Sequence, residues 1–75
     1  MKPIGDVNEV RAKLLMRGWR SLSAWAVAHG YLPGTVRRAV YDWGPRAERP
    51  WGGINRQIMA DLRKTLAEDA EREVA

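Results

Sequence analysis

The chain has no cysteine, no phenylalanine and only one histidine, His29, in its 75 residues. Without thiols, neither a disulfide nor a thiolate metal site can brace a small fold. A single imidazole likewise leaves no ligand set for a structural zinc. No apolar run approaches the roughly 20 residues needed to cross a bilayer, and the N-terminus has no signal-peptide core. A cytoplasmic protein is the expectation. Strand-type alternation and internal repeats are also missing. So are the usual catalytic constellations. No paired carboxylates lie near His29, and the glycines of Gly44–Gly53 lack the spacing and flanking strand of a phosphate-cradling loop. An enzyme is the weakest reading. No metal, cofactor or small-molecule ligand is expected.

What remains must stabilise the fold by packing. Seventy-five residues lie near the lower limit for a domain that folds on its core alone. Four tryptophans, Trp19, Trp25, Trp43 and Trp51, are the natural core fillers, each with an N–H that needs a partner. Trp51, between Pro50 and Gly52, is the exception that either covers the loop or meets a partner.

Net charge is +4, and it is unevenly spread. Residues 1–16 carry +1, residues 17–49 carry +4 and residues 50–75 carry −1. The positive middle is where a polyanion would sit. Ten of the thirteen basic residues are Arg, whose planar fork suits bidentate contacts to phosphate or guanine.

Capping signals divide the chain. Asp6 with Glu9 opens a first helix; its apolar face is Val7, Val10, Leu14 and Leu15, with Arg11, Lys13 and Arg17 outward. Gly18 stops it. Ser21 caps a second helix, with Leu22, Trp25 and Ala26 inward, that ends near His29. Pro33 suits the first turn of a third helix running to about Trp43, before Pro45. The stretch Gly44–Gly53 has two prolines and three glycines and reads as an irregular loop. A last helix from near Ile54 carries the stripe Ile58, Met59, Leu62 and Leu66. The fold expected is all-α, with four to five helices and no sheet. Residues 1–67 form the domain, and 68–75 an acidic, frayed tail.

Within this frame, Ala26, Gly30, Val36 and Ala39 follow Leu22 by four, eight, fourteen and seventeen positions. Two short helices crossing at a glycine turn need this spacing, and a DNA-reading helix-turn-helix is built so. The window SLSAWAVAHGYLPGTVRRAVYDW, Ser21 to Trp43, resembles the Ner family, small DNA-binding regulators of Mu-like transposable phages. The likeness is carried by Leu22-Ser23-Ala24, Gly30-Tyr31, Pro33, Thr35 and Trp43, about a third of the chain. It extends loosely into INRQIMADLRKTL. It implies a helical phage regulator of lambda-repressor-like fold without cofactor, binding operators between divergent early promoters and repressing them, on the nucleoid of a bacterial host. The Arg-containing loop and acidic tail depart from the family, so its loop contacts and oligomeric state are not carried over.

In this docking mode the second helix of the pair enters the major groove. The expected base-reading residues are Pro33, Gly34, Thr35 and Arg38. Arg38 would face guanine O6 and N7, and Gly34 would let the helix come close to the groove wall. The expected backbone contacts are Arg37, Ser21, Ser23, Arg20, Arg17 and Tyr41, with the serines at a helix start. Tyr41 suits the core equally well. Arg46 and Arg49 are candidates for a flanking contact. The partner expected is operator duplex DNA, with a homodimer on DNA as an option if the last-helix stripe is not consumed by the core. A protein-interaction module using the same scaffold is the alternative. A fragment of a larger transposase or repressor would look similar, although the start Met and full helical set favour an independent protein.

Overall fold

In a computed structural model the described residues are 3–46, 50 and 52–74, with side chains described through Ala67. Four helices follow one another: α1 (Val7–Met16), α2 (Leu22–Ala28), α3 (Pro33–Trp43) and α4 (Gly53–Val74). Among the described residues there is no strand, and no fifth helical piece in the Gly44–Gly53 loop. The all-α class read from the sequence is therefore observed. Arg49 and Trp51 lie outside the described residues.

Five helix boundaries have a local cause. Asp6 accepts a hydrogen bond from the Glu9 amide at 2.9 Å, and Ser21 Oγ accepts one from the Ala24 amide at 3.0 Å; both satisfy first-turn donors that a helix leaves open. At the other end of α2, the Tyr31 amide reaches back to the Ala26 carbonyl at 2.8 Å and the Gly30 amide to Val27 at 3.1 Å. This pattern needs a left-handed residue just past the helix, and Gly30 supplies it with φ of 80°. The same pair of bonds closes α1 around Gly18. Pro33 occupies the first turn of α3, where its missing N–H removes no bond.

The core is formed by residues from all four helices: Val10 and Leu14, then Leu22, Trp25 and Ala26, then Val36, Ala39 and Val40, then Ile58, Met59, Leu62 and Leu66. The stripe on α4 is thus consumed by the domain's own core. It cannot also serve as the dimer surface considered from the sequence. Trp25 is fully buried, whereas Trp19 and Trp43 are half-buried against the core.

Four details depart from the sequence reading. Leu15 is 59% exposed: it sits about 100° around the helix from Leu14, and the face of α1 that packs is too narrow to include both. Ile4, before any helix, is buried; the Gly5 amide bonds to the Gly44 carbonyl at 3.0 Å and lays this arm across the end of α3. Gly44 is needed there for proximity, because a Cβ on it would lie 2.6 Å from the Val40 carbonyl oxygen and closer still to that of Gly5. Finally, α4 extends past the Ile58–Leu66 stripe to Val74. Ala, Glu and Arg in that segment are strong helix formers.

A polar chain fixes the α2–α3 turn to α4. Trp25 Nε1 donates to Thr65 Oγ1 at 3.1 Å, and Thr65 Oγ1 donates to the Asp61 carbonyl at 3.1 Å. The Tyr31 hydroxyl donates to Asp61 Oδ2. Desolvation by burial, followed by the Asp61 carboxylate, pushes the Tyr31 pKa up to about 12. His29 stacks on Trp25 with ring centroids 4.2 Å apart.

Candidate nucleic-acid interface

The residues of α3 sort by face. Val36, Ala39 and Val40 are buried, while Gly34, Arg37, Arg38 and Tyr41 are exposed and Pro33 and Thr35 are half-buried. Such segregation follows from a 3.6-residue period on an eleven-residue helix. Tyr41, at 70% exposure, belongs to the outer face and not to the core. At the leading end, Leu32 offers no side-chain cap. The first turn of α3 therefore receives no side-chain cap from its N-cap residue, and the positive end of the helix dipole is left uncapped there.

Arg38 extends along the helix, and its Nε donates to Asp42 Oδ2 at 2.9 Å. The side chain is nevertheless 76% exposed. The hydrogen bond to Asp42, reinforced by that carboxylate's charge, raises the Arg38 pKa further. With Nε engaged, the two terminal nitrogens keep their donors in a fork that matches a guanine edge.

Two clefts flank this helix. One, of about 240 Å³, brings together Ser21, Ser23, Pro33 and Arg37 with Val7, Arg11 and Leu22. A wider groove of about 540 Å³ lies between α1 and α3, lined by Val7, Asn8, Arg11, Gly34, Arg37, Arg38 and Tyr41. The structure thus gathers Ser21, Ser23, Pro33, Gly34, Arg37, Arg38 and Tyr41 along one continuous edge. Thr35 lines neither cleft, and neither does Arg20, although Arg20 is exposed. Arg46 is exposed, with its guanidinium over the Trp43 ring at 5.2 Å from the centroid.

Arg17 requires a correction. It is half-buried, not outward, and donates to the Lys13 carbonyl at 2.9 Å and to the Leu66 carbonyl at 3.2 Å. Main-chain oxygens of α1 and α4 claim the fork that was expected on a DNA phosphate. In the opposite direction, Arg11 and Asn8 were not singled out from the sequence, yet both line the groove. An outward position on α1 was legible for Arg11. Its nearness to α3 depends on how the two helices pack, which no local spacing reports.

Among the described residues, no group of His, Cys, Asp or Glu is placed to hold a metal ion, and no helix is long and apolar enough to cross a membrane. No known family model, curated protein or solved structure matches the chain.

Proposed function

We propose that this protein binds duplex DNA with α2 and α3 as a helix-turn-helix, α3 lying in the major groove, and that it acts as a transcriptional regulator. The resemblance of Ser21–Trp43 to Ner-like proteins favours repression of early promoters in a Mu-like phage. The observation that carries the reading is the outer face of α3, where exposed Arg37 and Arg38 stand behind a side-chain-free Gly34 at the leading end. Arg38, with its terminal amines presented, is the base reader. Arg37, in the cleft with Ser21 and Ser23, takes a backbone phosphate. Thr35, half-buried in the first turn of α3, is a secondary base contact.

The alternative of a pure protein-interaction module has less support, because the α4 stripe proposed for a partner is buried in the core. Selection of duplexes from a random pool, followed by titration of the winner and a scrambled control, tests the reading. Arg38→Ala should cut the preference for the selected duplex by about five- to a hundredfold, the range expected for a bidentate base contact. Arg37→Ala should weaken both duplexes by the same factor. If the double variant binds both as tightly as the parent, the reading fails.

A further inference from the structure

We propose that α1 forms a second arm of the interface: Arg11, with Asn8 beside it, seats a phosphodiester strand of the same duplex in the groove between α1 and α3. This rests on the DNA-binding reading above and extends it to a helix outside the helix-turn-helix.

The groove is cationic. Arg11, Arg37 and Arg38 line it with Asn8 and Tyr41, and among the described residues no Asp or Glu does. Arg11 and Arg37 also line the adjoining cleft, so these two side chains form the wall shared by both openings. Among the described residues neither guanidinium has a carboxylate partner; the ion pair on this side joins Arg38 to Asp42. Two like charges on one wall repel each other, and an anion between them removes that penalty and gains charge-assisted hydrogen bonds. Asn8 and Tyr41 add neutral donors of the kind that commonly contact phosphate oxygens.

A strand fits this surface better than an isolated anion. The cations are spread along the groove from α1 to the middle of α3, and a phosphodiester backbone presents charges in series. A duplex whose major groove receives α3 carries such a backbone on each side of that groove. Ser21, Ser23 and Arg37 would take one of these backbones, and Arg11 and Asn8 extend that contact onto α1.

The test is a salt series of anisotropy titrations with a labelled duplex of random sequence and with the selected operator, comparing the parent with Arg11→Ala and Arg11→Lys. Arg11 is exposed, so the variants should melt as the parent does. For one lost phosphate contact, Arg11→Ala should reduce the log–log salt slope by about 0.9 and weaken both duplexes about three- to tenfold. Arg11→Lys should restore the slope, and the operator preference should not change. A neutral methylphosphonate at the contacted phosphate should weaken the parent and leave Arg11→Ala unaffected. If the parent binds and Arg11→Ala matches it in affinity and slope, the α1 arm is overturned and the α3 reading stands. If the parent binds no duplex, both are overturned.

Discussion

Gly34 offers a substitution with opposite effects on folding and on binding. It lies in the first turn of α3, its φ is not positive, and a Cβ added to it meets nothing within 4 Å. In the free protein an alanine there is therefore unstrained and less flexible in the unfolded chain. Glycine costs about 0.8–1.0 kcal/mol relative to alanine inside a helix. In the first turn about half of that applies, so Gly34→Ala should raise the melting temperature by about 2–4 °C. In the proposed docking the same methyl would point into the space where α3 meets the groove wall. Crowding of a close-packed contact costs about 1–3 kcal/mol, so affinity should fall about tenfold for alanine and further for Gly34→Leu. Thermal melts by circular dichroism and anisotropy titrations on the same samples read both quantities. A stabilised Gly34→Leu variant with full affinity would refute the placement of this turn against the duplex.

Three other perturbations follow from observed contacts. Gly44→Ala should destabilise by about 1–3 kcal/mol, because its Cβ meets the main-chain carbonyls of Val40 and Gly5; urea midpoints give the value, and an unaltered midpoint would contradict the close approach. Tyr31→Phe removes the bond to Asp61 and should cost about 1–2 kcal/mol near neutral pH. With its folded pKa raised from 10.0 to about 12, the Tyr31 contribution is complete below the ordinary value and lost as pH rises toward the folded one. The gap between parent and variant should therefore close in strong alkali, and a constant gap would contradict the assignment. Asp42→Asn releases Arg38 Nε and removes a negative charge from the outer face of α3. Binding to random duplex should tighten while the operator preference shrinks; an unchanged ratio would show that the pair does not position Arg38.

The helix boundaries were legible because capping is local chemistry. Asp6, Ser21, Gly18, Gly30 and Pro33 act on amides and carbonyls within five residues of themselves. The α4 stripe was legible because its period is long enough to define one face. Leu15 was not, since two adjacent apolar residues leave the inward choice to the neighbouring helix. The arm that carries Ile4 is held by the bond from the Gly5 amide to the Gly44 carbonyl, a contact between distant parts of the sequence that no periodicity encodes. The arginines divide in the same way. The outward face of Arg37 and Arg38 follows from the buried positions Val36, Ala39 and Val40 on the same helix. Arg17 and Arg11 have long side chains whose destinations are other helices: the first turns to the Leu66 carbonyl and the second to the α3 groove.

The most direct test of the central claim is the affinity of the parent chain for a labelled random duplex over a series of salt concentrations. A cationic face neutralising four to six phosphates requires binding at low salt and a log–log slope of about −4 to −5. Absence of binding at low salt, or an affinity indifferent to salt, would contradict the assignment of this surface to DNA.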